Sequence, residues 1–159
     1  YKFFFVKKKA VIVGCGRVGR PLGLMLLSKG MTVSYIDKYT RKTDKIKKIR
    51  ETDLLVVAVG KRGIVDTNWI SNNTVVVDVG IHQVNSKTCG DLILKDLLVR
   101  EKNGELNELY RTPVPGGVGP MTVCMLLENT IISWLRHTNN NTTISDRERV
   151  VTNNVGIRS

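Results

Sequence analysis

An α/β fold with a mostly parallel sheet and helices on both faces is predicted by three features of this 159-residue sequence. Four short apolar runs, rich in Val and Ile, have the length and composition of buried parallel strands. Segments with helical periodicity separate the first three runs. The first, third and fourth runs lead directly into a glycine, as strands do where backbone lies close to a ligand at the carboxyl edge of a sheet. The four runs are 10–13, 31–36, 53–59 and 74–79.

A glycine-rich loop, Gly14-Cys15-Gly16-Arg17-Val18-Gly19, lies between the first predicted strand and a helix that Gly30 is predicted to end. In this context the first glycine permits a tight turn, the second lets a pyrophosphate approach the backbone, and the third lets the helix pack closely on the strand. The start of the helix offers N–H groups to the phosphates. The sequence therefore predicts a Rossmann-type doubly wound domain that binds a dinucleotide, with a purely structural turn as the alternative. The helix residues predicted to face the sheet are Val18, Leu22, Met25 and Leu26.

Asp37 ends the second predicted strand, about 20 residues after the last glycine of the loop, where an acidic residue accepts hydrogen bonds from the adenosine ribose. A carboxylate at this position favours NAD over NADP, because like charges about 4 Å apart repel by about 4 kcal/mol at an effective dielectric constant near 20. Lys38 and Arg17 lie close by in the sequence and could offset this repulsion. The predicted cofactor is NAD or NADP, with a preference for NAD. A surface turn is the alternative role for Asp37.

Composition limits the partners. The net charge of +11 favours anionic ligands, but no nucleic-acid motif accompanies it, so nucleic acid is not expected as a partner. No apolar run in the sequence reaches membrane-spanning length by inspection, which predicts a soluble chain without a membrane partner. Three widely spaced cysteines, Cys15, Cys89 and Cys124, fit no metal-binding pattern. We therefore expect free thiols, no metal site and a reducing compartment, the cytoplasm or the mitochondrial matrix.

A second glycine-lined segment, residues 112–122, leads into another predicted helix that Pro120 opens. Its exposed backbone amides are suited to a second ligand contact. The apolar pattern stops after Arg136, so residues 1–136 are predicted to form the domain and residues 137–159 a polar, flexible tail. His82 follows the fourth predicted strand, and a lone histidine at such a place is more often structural than a ligand contact.

The run Thr-Pro-Val-Pro-Gly-Gly-Val-Gly-Pro-Met-Thr, residues 112–122, closely resembles the signature of the bifunctional methylenetetrahydrofolate dehydrogenase/methenyltetrahydrofolate cyclohydrolase family. Shorter matches are Val18-Gly-Arg-Pro21, Val57-Ala-Val-Gly60 and Asp78-Val-Gly-Ile81, and the resemblance covers about residues 8–136. It implies an oxidoreductase and hydrolase of folate one-carbon metabolism. Such an enzyme transfers a hydride from methylenetetrahydrofolate to a nicotinamide cofactor and hydrolyses the methenyl product to formyltetrahydrofolate.

The resemblance also implies roles for individual residues. The phosphates and the adenosine ribose of the cofactor would contact the glycine loop and the end of the second strand. These residues are Gly14, Cys15, Gly16, Arg17, Val18, Asp37 and Lys38. The nicotinamide side would be lined by Val59, Gly60, Ile81 and Thr122. The folate substrate would meet the nicotinamide at Pro115, Gly116 and Gly117. The carboxylates of folate suit a basic protein, and a homodimer is expected for the intact enzyme.

The sequence departs from the family pattern in three places. The family loop reads Gly-Arg-Ser and is one residue longer, whereas Cys15 and Gly16 stand here. The second strand of the family ends in His-Ser, whereas Asp37 and Lys38 stand here. Both changes favour NAD over NADP. The catalytic lysine of the family and its neighbouring tyrosine lie on an N-terminal domain that these residues lack, so no catalytic residue is assigned and little turnover is expected from this chain alone.

Two other functions remain open from the sequence. The segment 11–38 also resembles the NAD-sensing regulatory domain of potassium transport proteins, which would make the chain a non-catalytic NAD-binding regulatory module. That interpretation does not account for residues 112–122. A degenerate family member that keeps the fold and scaffolds a partner is the third hypothesis.

Overall fold

A five-stranded parallel sheet forms the centre of the protein in the computed structural model, which describes residues 5–106 and 109–138. The strands are β1 (Lys9–Val13), β2 (Thr32–Ile36), β3 (Leu54–Val57), β4 (Val75–Asp78), β5 (His82–Val84), β6 (Lys87–Cys89) and β7 (Tyr110–Arg111). The helices are α1 (Gly19–Ser28), α2 (Lys42–Arg50), α3 (Leu94–Lys102) and α4 (Val118–Thr138), with a 3-10 turn at Thr67–Trp69. The sheet order is β2-β1-β3-β4-β7, and β5 and β6 form a separate antiparallel hairpin.

Strand β1 pairs with β2 on one side and with β3 on the other, so Val13 lies opposite both Ile36 and Val57. The chain therefore reverses direction across the sheet at β1, which makes the gap between β1 and β3 a topological switch point. The carboxyl ends of the three strands meet there. Ligands of open α/β sheets bind beyond such ends, so the fold places the predicted site at this edge.

Two cores lie on opposite faces of the sheet because alternate strand residues point to opposite sides. Val11 and Leu55 belong to one core, and Ile12 and Val56 belong to the other. Helices α2 and α3 cover the first core with Ile49 and Leu97, while α1 covers the second with Leu26. Helices thus cover both faces, which confirms the predicted Rossmann-type doubly wound fold.

The predicted sheet-facing side of α1 is partly wrong. Leu26 is buried and Leu22 packs beside it, but Met25 is 64% exposed and Val18 is 50% exposed. Gly19 and Gly23 are both buried on the sheet-facing side. A β-carbon at Gly23 would overlap the Tyr35 hydroxyl, so the close approach of helix and strand depends on small residues rather than on a wide apolar stripe.

Three short strands between residues 82 and 111 are absent from the four strands that the sequence predicts. The β5–β6 hairpin turns at Asn85 and Ser86, both with positive φ, and β7 adds a fifth parallel strand beside β4. Short polar strands such as these carry no apolar alternation, so hydrophobic periodicity did not indicate them.

The described residues divide into two compact units, the first ending at Gly119 and the second beginning at Pro120, in the first turn of α4. By length and composition α4 is long and apolar enough to cross a membrane. The prediction that no segment reaches that length is therefore wrong for α4, although length and composition alone are weak evidence for a membrane span. Of the predicted tail, residues 137 and 138 end α4 and the others lie outside the described residues. The predicted domain boundaries stay a prediction.

Asp53, which precedes β3, ties the start of β1 to the sheet. Its carboxylate accepts hydrogen bonds from Lys8 Nζ and from the Lys9 backbone N–H, each 2.8 Å long. Burial by itself raises the pKa of this carboxyl, but the hydrogen bonds and charges of the two lysines outweigh burial and hold the pKa below its ordinary value. The folded chain therefore binds the Asp53 proton more weakly than the unfolded chain does.

We expect Asp53→Asn to reduce the acid sensitivity of folding. A depressed pKa in the folded state contributes stability above the ordinary pKa of aspartate, and this contribution is lost as the pH falls through the folded value, from about pH 5 to pH 2. The variant lacks this component, so the difference in urea midpoint between wild type and variant should shrink on acidification. Asp44→Asn on the exposed start of α2 is the matched control. Parallel pH profiles for wild type and Asp53→Asn would contradict the assignment.

Candidate cofactor-binding site

The glycine loop follows β1 directly, and its three glycines meet different surroundings. Gly14 has a φ of +109°, and a β-carbon there would overlap the carbonyl oxygen of Ala58. A β-carbon at Gly19 would overlap the carbonyl oxygen of Gly14, so helix and loop are in direct contact. A β-carbon at Gly16 would meet no protein atom within 4 Å. The first and third glycines therefore serve the fold, and the middle one leaves an open approach to the backbone.

Open backbone donors surround that approach. Within the described residues, the N–H groups of Gly16, Arg17 and Val18 donate to no protein group, and the helical hydrogen bonds begin with Arg20 N–H to Gly16 O at 3.2 Å. No side chain caps the start of α1. Unpaired N–H groups at a helix start carry partial positive charge and bind anions. This donor set fits the pyrophosphate of a dinucleotide.

A cavity of about 460 Å³ opens beside the loop at the carboxyl ends of β1, β2 and β3. Six predicted cofactor residues line it together, which are Gly14, Cys15, Gly16, Asp37, Lys38 and Val59. The remaining lining residues are Val13, Ile36, Lys45, Ala58 and Ile64. The volume lies within the usual range of small-molecule sites. The cavity and the open donors are therefore one continuous candidate site.

Asp37 lies at the end of β2 with one oxygen engaged in its own turn. Oδ1 accepts hydrogen bonds from the Tyr39 and Thr40 backbone N–H groups and from the Thr40 hydroxyl, at 3.0, 2.8 and 2.7 Å. The Thr40 hydroxyl, followed by the Thr40 and Tyr39 N–H groups, lowers the pKa of this carboxyl despite slight burial. Oδ2 accepts no hydrogen bond from any residue that the structure describes. A ligand hydroxyl can therefore donate to Oδ2, the oxygen of Asp37 that its own turn does not use.

Two lysines lie beside this carboxylate in the cavity wall. Lys38 holds its ammonium 4.8 Å from the centre of the Tyr39 ring, so its charge lies over the adjacent side chain. Lys45 reaches the cavity from the first turns of α2. Sequence reasoning missed Lys45 because it lies in none of the motifs that assign cofactor residues. The position of Lys45 in the chain could have indicated it. A helix that begins shortly after a strand has ended at the ligand-binding edge of the sheet brings its first turns close to that edge.

Two buried aspartates at the carboxyl ends of β3 and β4 were also missed. Asp78 is 4% exposed and accepts hydrogen bonds from the N–H groups of Gly80, Asp91 and Leu92. Asp91 is 1% exposed and accepts from the Val59 N–H at 2.8 Å and the Gly60 N–H at 3.0 Å. The sequence signal is an aspartate within two residues of a glycine, at Asp78-Val79-Gly80 and Gly90-Asp91. A β-carbon at Gly80 would overlap Asp91, and one at Gly90 would overlap Asp78.

The other predicted site residues lie outside the cavity lining. Arg17 and Val18 are exposed at the start of α1, Gly60 follows the lining residue Val59, and Ile81 is 63% exposed beside Gly119. The proposed folate-contacting residues, Pro115, Gly116 and Gly117, lie in the turn before α4. Thr122 belongs to the second compact unit. The roles of these residues stay predictions.

Comparison with known proteins identifies the family. The family model described as tetrahydrofolate dehydrogenase/cyclohydrolase, NAD(P)-binding domain, matches residues 1–138. The chain belongs to this family. In the tetrahydrofolate dehydrogenase/cyclohydrolase family the matched part is the NAD(P)-binding domain, in agreement with the glycine loop and the cavity at its side.

Solved structures of bifunctional methylenetetrahydrofolate dehydrogenase/cyclohydrolases match this domain. The enzyme from Campylobacter jejuni is 40% identical with a TM-score of 0.70, over 81% of this chain and 43% of that chain. The enzyme from Thermoplasma acidophilum is 36% identical with a TM-score of 0.71, over 87% and 47%. The enzyme from Trypanosoma brucei, solved with NADP cofactor and inhibitor, is 32% identical with a TM-score of 0.71, over 85% and 46%. The chain thus spans less than half the length of these relatives.

Proposed function

We propose that this tetrahydrofolate dehydrogenase/cyclohydrolase domain binds the nicotinamide cofactor for an enzyme that oxidises methylenetetrahydrofolate and hydrolyses the methenyl product to formyltetrahydrofolate. The observation that carries the proposal is the glycine loop beside the cavity. Its backbone is open to a ligand at Gly16, and the N–H groups of Gly16, Arg17 and Val18 donate to no described protein group. The relatives act as dehydrogenase and cyclohydrolase by name, and the chain matches under half of their length. The proposal places no catalytic residue among these residues, and little turnover is expected from them alone.

The residues of this chain are proposed to bind and orient the cofactor. The pyrophosphate would lie on the open N–H groups of Gly16, Arg17 and Val18. The adenosine ribose would lie at Asp37, and the end of β3 at Val59 and Gly60 would support the nicotinamide half. The bound cofactor supplies hydride acceptance, which no side chain offers. The folate substrate would meet it at the turn formed by residues 115–117.

For the finer choice of cofactor we propose NAD. Asp37 presents an ionised oxygen, Oδ2, at the cavity, and a phosphate on the ribose would face that charge. Lys45 and Lys38 line the same cavity and weaken the repulsion. The preference is therefore expected to be moderate, and NADP, which the Trypanosoma brucei relative holds, is expected to bind more weakly here.

Calorimetric titration of the purified chain with NAD and with NADP tests this function. We expect saturable binding of both, with NAD tighter, and no production of NADH or NADPH from methylenetetrahydrofolate by the chain alone. Binding of neither nucleotide would contradict a cofactor role for these residues. Tighter binding of NADP would leave the cofactor role intact and contradict the assignment of Asp37 as the selecting residue.

Asp37→Asn is expected to raise the affinity for NADP relative to NAD by roughly tenfold. The amide oxygen can still accept the hydrogen bonds from Tyr39 and Thr40, so the variant removes the charge and keeps the turn. A tenfold change corresponds to about 1.4 kcal/mol, a modest share of the repulsion expected at short range. Asp44→Asn, on the same helix as Lys45 but outside the cavity lining, is the control. An unchanged ratio of the two dissociation constants would remove Asp37 from the cofactor site.

The alternative of a non-catalytic NAD-binding regulatory module has the compact glycine loop as its support. It leaves residues 112–122 without a role, whereas the family match extends over them. Solved structures outside the family, such as a Salmonella D-lactate dehydrogenase at 14% identity and a TM-score of 0.52, share the fold alone. The enzyme domain is therefore the better-supported proposal.

We further propose that the intact enzyme is a homodimer in a reducing compartment, the cytoplasm in the first instance. Three free cysteines in a chain without a metal-binding pattern support a reducing environment. The dimer rests on the family resemblance. Light scattering of the intact protein tests it.

A further inference from the structure

The buried aspartate Asp91 connects the far side of the sheet edge to the glycine loop. Its carboxylate is fully buried, with Oδ2 accepting from Val59 N–H and Gly60 N–H at 2.8 and 3.0 Å. Those two N–H groups lie just past β3, where the parallel pairing with β1 and β4 has ended. The direction of the peptide groups after β3 is therefore set by Asp91 rather than by a neighbouring strand.

One peptide group, between Ala58 and Val59, contacts both Asp91 and the glycine loop across the switch point. The Ala58–Val59 peptide points its N–H at Asp91, and its carbonyl oxygen lies against Gly14, where a β-carbon would overlap it. The Ala58 N–H in turn donates to Val13 O at 2.9 Å. Because the peptide group is planar and rigid, a rotation of its N–H away from Asp91 moves its carbonyl against the glycine loop. Ala58 and Val59 both line the cofactor cavity.

The backbone of Asp91 is held from several sides. Its N–H donates to Asp78 Oδ1 at 3.0 Å, and its carbonyl accepts from Gly63 N–H at 2.8 Å. Gly80 and Gly90 leave no space for a β-carbon beside the two aspartates. The carboxylate of Asp91 is thus presented to Val59 and Gly60 from a rigid support.

His82 supplies the remaining contact to the carboxylate. Its Nε2 lies 2.6 Å from Asp91 Oδ1, and in the tautomer that carries its proton on Nε2 the imidazole donates to this oxygen. The His82 side chain is 24% exposed, whereas that of Asp91 is 0% exposed. Among the described residues, His82 is the one whose side chain bonds to this carboxylate, and it is also partly exposed to solvent. A substitution at His82 can therefore perturb Asp91 without opening the core.

We propose that Asp91 is a positioning residue of the cofactor site and that His82 acts through it, by fixing the Ala58–Val59–Gly60 backbone against the glycine loop. Neither side chain lines the cavity beside the glycine loop, and the role proposed for both is to hold the backbone rather than to contact the cofactor. The inference rests on the proposed cofactor function. It adds that tight cofactor binding requires Asp91 and His82 as well as the glycine loop.

The test compares His82→Leu with His82→Gln and uses the full chain. Leucine cannot donate to Asp91 Oδ1, whereas the glutamine amide can. We expect His82→Leu to bind NAD roughly tenfold more weakly than wild type, an effect of the size that substitutions without ligand contact have on binding. His82→Gln should bind NAD about as tightly as wild type. His137→Leu, at the other histidine of the sequence, is the matched control. Thermal melting should place His82→Gln and His137→Leu close to wild type, whereas His82→Leu, which leaves the buried Asp91 Oδ1 without its donor, should melt a few degrees lower but still cooperatively. A cooperative transition well above the titration temperature separates positioning from loss of fold.

A second measurement keeps the inference independent of the cofactor. In the ligand-free chain, backbone NMR should show that His82→Leu shifts the amide signals of Val59 and Gly60 and also those of the glycine loop. His82→Gln should restore them. Shifts confined to residues near His82, or equal NAD affinity for the leucine and glutamine variants, would overturn the proposal. Failure of the wild-type chain to bind NAD or NADP would overturn the proposed function, while the NMR comparison would still decide whether Asp91 is coupled to the loop.

Discussion

Gly16→Val is expected to abolish NAD binding at ordinary concentrations while the chain stays folded. A β-carbon at Gly16 meets no protein atom within 4 Å, so the fold has room for the side chain. The same space is the approach by which a pyrophosphate reaches the open N–H groups of the loop. Separation of the anion from two such donors costs about 3 kcal/mol, which is roughly a hundredfold in dissociation constant.

Calorimetry with NAD and thermal melting together measure this result. The melting temperature should change by no more than about 3 °C, as expected for a change below 1 kcal/mol in a domain of this size. Gly16→Ala is the graded variant, with a smaller loss of affinity. Gly19→Ala is the structural control, because its β-carbon overlaps the Gly14 carbonyl and should lower the melting temperature instead. Normal affinity in folded Gly16→Val would show that the phosphates do not lie on this loop.

Asp78→Ala should produce the largest loss of stability among the polar substitutions considered. Its two oxygens accept hydrogen bonds from three backbone N–H groups, those of Gly80, Asp91 and Leu92, at 2.9, 3.0 and 3.0 Å. Alanine leaves three buried donors without an acceptor, and each such loss costs about 1–3 kcal/mol. A total of about 3–5 kcal/mol is a large part of the stability of an ordinary domain.

Chemical denaturation of the two aspartate variants Asp78→Ala and Asp66→Ala gives the comparison. Asp66 caps the 3-10 turn with a single hydrogen bond to Asn68 N–H at an exposed position, so its loss should cost about 1 kcal/mol. Asp78→Asn keeps one acceptor oxygen and should fall between wild type and Asp78→Ala. Equal costs for the Asp78 and Asp66 alanine variants would show that the donors around Asp78 find other partners.

The cofactor loop could be predicted from the sequence because its parts are contiguous. A strand, three glycines at fixed spacing and a helix start follow one another within residues 9–28, and each glycine meets the surroundings that its place in the motif requires. Asp37 was found by its distance along the chain from that motif. The structure added one detail, since the turn formed with Tyr39 and Thr40 occupies Oδ1 and leaves Oδ2 for a ligand.

The sequence by itself determined the fold class, the family and the position of the nucleotide loop, because these depend on local periodicity and on short motifs. Only the tertiary structure decided that Lys45 borders the cavity and that Asp91 and His82 support it. Asp91 lies 32 positions from Val59 along the chain, and its hydrogen bonds exist because the ends of β3 and β4 are brought side by side in the sheet. Contacts between such distant segments are set by strand order and register, which no local pattern of residue types specifies.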